Sequence, residues 1–230
     1  MTAQGCTLIA LGLGLTLASG GADAQEWPPP VYSAKEIRAT VVDTETGQPL
    51  DGVIMVAQWI LFVAAPGHGG HGPRLHVVEA VTDGMGRFHI PGWGPKPNPR
   101  YPFTSLDNQD PQLSFFKLGY RPLTVQNRWD RNESVRFSEW DGKTIKLEKF
   151  RGTDKEWGRA ISFLQTALAW GWQRMMDWRQ MPRMVLALEL ERQRLEQLQP
   201  GIAGSGFSPS PLSSFGTTVE EVRRFLGAQK

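Results

Sequence analysis

Three of the chain's four histidines lie within nine residues of one another: His68 and His71 in the run Gly67-His68-Gly69-Gly70-His71-Gly72-Pro73, and His76 just beyond it. Imidazole nitrogens ligate borderline ions such as zinc or copper, and the glycines between them would let three rings turn toward one ion. A metal-ligating histidine also needs a partner that orients its ring, and the sequence places no carboxylate beside His68 and His71. The segment is therefore expected to be a solvated, glycine-rich loop, with no metal and no other cofactor. His76-Val77-Val78-Glu79 reproduces the spacing of an H-x-x-E zinc motif. It reads as a strand, however, where residues three apart point to opposite faces and cannot converge on one ion.

A second chemistry is stacking. Trp93 and Tyr101 lie in a long proline-rich stretch, and exposed aromatic faces suit the apolar faces of sugars as well as cations. Burial statistics favour the competing expectation, in which Trp93 closes one end of a core. The acids Asp51, Glu79, Asp83, Asp107 and Asp110 are scattered, mostly over expected turns, where carboxylates chiefly accept backbone N–H groups. No G-x-S-x-G, phosphate-binding loop or dinucleotide fingerprint occurs. No catalytic constellation, and hence no enzyme activity, is expected.

Composition narrows the classes further. The 230 residues carry 25 basic and 23 acidic side chains, a net charge of +2, so no general field draws the protein to nucleic acid or an anionic surface. Residues 1–24 have an uncharged start, an apolar run from Leu8 to Ala18, and Ala22-Asp23-Ala24 before Gln25. This pattern reads as a secretory signal with a small-residue cleavage site, its apolar run too short for the ~20 residues of a membrane-spanning helix. The protein is expected to be exported, periplasmic or extracellular, without a transmembrane anchor after cleavage. Cys6, the one cysteine, lies in the removable segment, so neither a disulfide nor thiol chemistry is expected.

The elements that would position these side chains are mainly strands. A proline-rich spacer over 25–35 precedes alternating Ile37, Ala39 and Val41, and a loop follows in which Gly47 can take positive φ. Val53 to Ala65 is apolar almost throughout, Gln58 excepted, which predicts a strand covered on both faces. Val53, Met55, Ala57, Trp59 and Leu61 share one face; Ile54, Val56, Ile60 and Phe62 share the other. Leu75 to Val81, Arg87 to Ile90, Leu113 to Leu118, Leu123 to Gln126 and Lys143 to Phe150 complete about seven strands. Between Pro91 and Pro122 lie 7 of the 17 prolines, predicting loop or edge strand there.

Ile37 to Asp43, then Thr46-Gly47-Gln48-Pro49-Leu50-Asp51-Gly52, then Val81 to Ile90 around Asp83-Gly84-Met85-Gly86, and later Leu113-Ser114-Phe115 with Gly119-Tyr120, together resemble the carboxypeptidase regulatory-like domain. The resemblance covers about residues 36–149 and implies a seven-stranded, transthyretin-like Greek-key β-sandwich over 36–150. It implies little about activity, since such modules occur on enzymes, surface proteins and transporters alike. Two enzyme families with related sandwiches fit poorly. Hydroxyisourate hydrolases end in Tyr-Arg-Gly-Ser, whereas Tyr120-Arg121-Pro122-Leu123 stands mid-chain. Intradiol dioxygenases hold iron with two Tyr and two His, and only Tyr32, Tyr101 and Tyr120 are present, with no His-x-His after the shared turn.

After Gly152 the periodicity becomes helical. Trp157, Ile161, Leu164, Leu168, Trp172 and Met175 form one stripe, widened by Phe163, Trp170 and Trp178, too broad for a helix lying on water. A long helix or kinked pair over 154–199 is expected, broken at Pro182, then a flexible linker over 200–216 and a short amphipathic helix over 217–228, with Thr217 and Glu220 at capping-box spacing. The fold class is thus mainly β with an α C-terminal segment. The expected function is an exported, non-enzymatic binding or scaffold protein for an unknown protein or cell-envelope partner. A homodimer through the helical segment is the alternative way to cover the helices. Two rival functions are a metal-binding module through His68, His71 and His76, and a carbohydrate-binding module through Trp93 and Tyr101.

Overall fold

The computed structural model describes residues 28–63, 69–128, 133–169, 177–198 and 210–229. The expected signal segment with Cys6, together with Trp27, His68, Trp170, Trp172 and Met175, lies outside the described residues. Among those described, eleven strands form three sheets rather than one seven-stranded set. In chain order they are β1 (Val31–Ala34), β2 (Ile37–Asp43), β3 (Ile54–Val63), β4 (Gly70–Val81), β5 (Arg87–Ile90), β6 (Trp93–Pro97), β7 (Thr104–Leu106), β8 (Gln112–Phe116), β9 (Leu123–Val125), β10 (Val135–Arg136) and β11 (Thr144–Leu147).

The extra strands arise where proline and glycine signalled loop. β1 lies inside the expected spacer, and β6 carries Pro95 and Pro97 at the edge of a small sheet ordered β10-β1-β6. Proline is tolerated there because an edge strand has a row of backbone groups that needs no ladder partner. β4 begins at Gly70, so His71 stands on a strand instead of a loop. Its twelve residues are held by antiparallel pairing to β3, which outweighs the local glycine preference.

Two sheets face each other as a sandwich. β11-β2-β5 contributes Ile37, Ala39, Val41, Phe88, Ile90, Ile145 and Leu147 to the shared core, and β4-β3-β8-β9 contributes Met55, Ala57, Trp59, Leu61, Leu113 and Phe115. The outer face of the second sheet forms a separate core with Ile54, Val56, Val77 and Phe116. Helices α1 (Asp154–Ala169) and α2 (Pro182–Leu198) cover it with Trp157, Ile161, Leu164, Leu168, Met184, Val185 and Leu188. The two apolar faces of β3 are therefore closed by its own chain: sandwich on one side, helices on the other. Pro182 opens α2 at its first position, where a missing N–H costs nothing.

The sheet also holds α1 by polar contacts. Gln58, the exception in the apolar run, donates to the Leu168 carbonyl at 3.2 Å; Gln112 donates to the Ala167 carbonyl at 2.9 Å and Arg74 to the Leu168 carbonyl at 2.5 Å. Donors and a cation thus meet the carbonyl end of α1, as its dipole favours. The remainder differs from the expected free linker. α3 (Pro211–Ser214) lies within it, Ser210 donates to buried Glu189 at 2.6 Å, and α4 (Val219–Gly227) lies on α2 with Val222 buried and Phe225 edge-on to Trp178 at 5.2 Å. The apolar face of α4 is therefore covered within the chain. Its capping box uses Thr218 and Glu221, one residue beyond the expected pair, with the Thr217 hydroxyl donating to the same carboxylate at 2.6 Å.

Candidate functional site

The densest polar cluster lies where β3 changes partner. β3 pairs with β8 as far as Gln58 and with β7 from Leu61 onward, leaving Trp59 and Ile60 between the two. The turn from Asp107 to Asp110 fills the gap: the Asp107 amide donates to the Ile60 carbonyl at 2.8 Å, and the Ile60 amide donates to Asp110 Oδ2 at 2.5 Å. Asn127 ties this turn to the chain leaving β10, donating to the carbonyls of Asp110 and Phe137 at 2.8 and 2.9 Å. Asp110 is fully buried, and its pKa is pushed well above the carboxylate range by that burial, reinforced by the charge of Asp107. The charges of Arg136 and Arg74 oppose that rise, and burial lowers both guanidinium pKa values, that of Arg74 to about 10. Arg136 lies over the Tyr32 ring at 5.5 Å and donates to the Leu106 carbonyl at 3.1 Å, while the Tyr32 hydroxyl accepts the Leu106 amide at 3.2 Å.

The expected site residues fall around this cluster without converging. Alternation along β3 sends Trp59 to the sandwich core and Phe62 to the outer face, and their partners His76 and His71 go with them. His71 Nε2 lies 2.8 Å from Asp107 Oδ2 and its ring meets Phe62 edge-on. His76 instead sits between Trp59 and Trp93, with ring centroids 5.6 and 5.0 Å away, and its Nδ1 accepts from Lys96 Nζ at 2.8 Å. Burial, aided by the Lys96 charge, lowers the His76 pKa to about 4. His71 and His76 therefore face opposite sides of the sheet, as do His76 and Glu79, and His68 is not among the described residues. Among those that are, no three His, Cys, Asp or Glu side chains gather as a metal site.

Trp93 packs against the sandwich core, edge-on to Trp59 at 5.2 Å, with Lys96 5.6 Å from its ring centroid. Tyr101 is exposed in the turn between β6 and β7. Sequence reasoning missed Arg74, Lys96 and Arg136, and treated Asp107 and Asp110 only as turn residues. Asp107-Asn108-Gln109-Asp110-Pro111 does carry a turn signature, but nothing local marks Ile60 as its partner. A separate open groove of about 600 Å³ on the β11-β2-β5 side is lined by Arg38, Arg87, His89 and Lys143. Its charges are already paired in part, Arg87 with Asp83 at 2.9 Å and both Arg38 and His89 with Glu36 at 2.9 and 3.0 Å.

No protein-family model and no curated protein matches the chain. Among solved structures, it is similar to 3-chlorocatechol 1,2-dioxygenase from Rhodococcus opacus 1CP, with 19% identity over 56% of this chain and 62% of that one at a TM-score of 0.28. Another is a streptococcal ancillary pilin, with 18% identity, 54% and 30% coverage and a TM-score of 0.23. A third is chlorocatechol 1,2-dioxygenase from Pseudomonas putida, with 15% identity, 53% and 60% coverage and a TM-score of 0.25. The chain spans less than two thirds of each of these, and likeness at this level says nothing of what it does.

Proposed function

We propose that the protein is an exported, non-enzymatic binding or scaffold protein for a protein or cell-envelope partner, its sandwich being a seven-strand Greek-key core of the carboxypeptidase regulatory-like, transthyretin-like kind. The observation that carries the non-enzymatic reading is the use of the polar side chains at the candidate site. Asp110 serves the Ile60 amide, Asp107 faces His71, and His76 is enclosed by Lys96 and two tryptophans. Asp110 thus positions backbone and the other two pairs are satisfied side chain to side chain, whereas a reacting group would face an open cleft. Two loops support the finer family reading. Asp43 Oδ1 accepts the amides of Glu45 and Thr46 at 2.8 and 2.9 Å, Asp83 Oδ1 accepts those of Met85 and Arg87 at 2.9 Å, and Gly47 and Gly86 both take φ of 69°.

Export is supported by Ala22-Asp23-Ala24 before Gln25. Intact mass of the protein from the host's extracytoplasmic fraction tests it, with a chain beginning at Gln25 expected and a cytoplasmic full-length product refuting it. Elemental analysis tests the non-enzymatic reading. A stoichiometric zinc or copper ion, lost when His68, His71 and His76 are together replaced by Ala, would overturn it.

A further inference from the structure

Lys96 is a lysine turned toward the core. On β6 it stands opposite Tyr32, and Trp93 stands opposite Ala34, both partners being buried. The register shifts between these two pairs, so residues three apart on β6 turn to the same inner side instead of to opposite sides. The ammonium therefore lies 5.6 Å from the centroid of the Trp93 ring and donates to His76 Nδ1 at 2.8 Å. Among the described residues no carboxylate pairs with it, whereas Lys149 lies 3.4 Å from Asp43 and Lys117 donates to the Asp51 carbonyl at 2.6 Å. The titratable groups on the facing strands are His76 and Tyr32, and both are neutral at neutral pH, His76 with its pKa at about 4 and Tyr32 with its pKa raised by burial. Burial without a counter-ion disfavours the charged amine and lowers its pKa. Lys96 is only half-buried, so a small molecule reaches the amine from solvent.

An amine desolvated among aromatic rings is the kind that forms Schiff bases with carbonyl compounds, and a neutral imine suits such surroundings better than an ammonium does. Two polar atoms beside it narrow the carbonyl class. Imine formation takes from His76 Nδ1 the donor it has in Lys96, and the indole N–H of Trp93 is already buried without an acceptor. A hydroxyl on the carbon next to the new bond answers both, donating to His76 Nδ1 and accepting from Trp93. We propose that Lys96 captures an α-hydroxyaldehyde as an imine, with Trp93 and His76 as the walls of the site. The lone pair of the neutral amine adds to the carbonyl carbon and the C–N bond forms. The carbonyl oxygen then leaves as water with both amine protons, and no oxidant or reductant takes part. The aldehyde is held without turnover, so the capture stands beside the non-enzymatic reading, and it depends on neither export nor a partner.

Incubation of the folded protein at neutral pH with limiting glycolaldehyde and cyanoborohydride, which fixes each imine as a secondary amine, tests the proposal, with peptide mass mapping to read the labelled lysines. Lys96 should be labelled at least about threefold faster than the exposed Lys146 and Lys155, and its pH–rate profile should have a midpoint below theirs. Propanal, which lacks the hydroxyl, should lose most of that preference, and unfolding in urea should abolish it. Trp93→Ala, which lets water reach the amine, should bring Lys96 to the rate of Lys146. Lys96 labelled no faster than Lys146 in the folded protein, a midpoint equal to theirs, or an undiminished preference with propanal would overturn the proposal. These three readouts use the unaltered chain, so they decide it even if Trp93→Ala does not fold.

Discussion

The carboxylate of Glu79 on β4 accepts the Met184 amide at 2.7 Å and the Arg183 amide at 3.2 Å, so a residue of the sheet caps the first turn of α2. The Arg183 guanidinium lies 3.4 Å from the same carboxylate. An acid at a helix N-terminus satisfies amides that have no partner within the helix and complements the dipole. Glu79→Ala is expected to cost about 1–3 kcal/mol by leaving those N–H groups unpaired. Glu79→Gln, which keeps an acceptor, should cost less. Urea denaturation of the two variants checks the order.

Truncation after Phe150 removes the cover from Ile54, Val56, Val77 and Phe116. Each buried side chain of this size contributes about 1.5–3 kcal/mol, so the truncated chain should aggregate or unfold. Truncation after Gln199 also removes Leu212, Val222 and Phe225 from α2 and Trp178, and should lower the melting temperature while the sandwich persists. A soluble, cooperatively melting monomer of residues 25–150 would refute the first expectation. Size-exclusion chromatography and calorimetry decide both.

Two buried groups give stability opposite pH slopes. Asp110 has its pKa raised in the fold, so its contribution is fullest at low pH and falls as pH rises through the folded value. Asp110→Asn keeps an acceptor for Ile60 and should raise stability at neutral pH while flattening that slope. His76, lowered from 6.5 to about 4, contributes stability that is present above its ordinary value and lost as pH falls from 6.5 toward 4. Its ring should titrate near pH 4 by NMR, and His76→Phe should abolish that part of the acid dependence.

Gly47 and Gly86 share φ of 69° but not their surroundings. A Cβ at Gly47 meets nothing within 4 Å, whereas one at Gly86 would strike the Val41 carbonyl oxygen and crowd the Leu50 amide and Pro49. Gly47→Ala should cost about 1 kcal/mol, the left-handed penalty alone. Gly86→Ala should cost clearly more and displace the Asp83 turn, an ordering that thermal melts of the two variants check.

Side-chain alternation made β3 legible in the sequence: its two faces follow the period of two, and Gln58, which breaks the pattern, meets the end of α1. The histidine segment was not legible. Its glycines signal loop, while the hydrogen bonds that make it strand come from β3. The switch at Ile60 was hidden for a related reason, since Asp107 and Asp110 lie about fifty residues away and nothing near Ile60 announces them. Lys96 against His76 likewise depends on a strand whose prolines argue against its existence. Local composition speaks for local conformation, and these contacts are set by pairing between distant segments.

The helical layer comes last in the chain, and this imposes an order on biogenesis. A polypeptide made or threaded from its N-terminus can complete every strand through Leu147 before any residue of α1 exists. In that interval Val56, Val77 and Phe116 form an uncovered apolar surface on a sheet that is otherwise finished, and contacts such as Arg74 to Leu168 span 94 residues. Long-range closure of this kind is slow, and exposed apolar sheet invites association with other nascent chains. Until its last third emerges the nascent sheet keeps that apolar surface bare, so the yield of folded protein should depend on how soon the helices arrive more than on the strength of the finished sandwich.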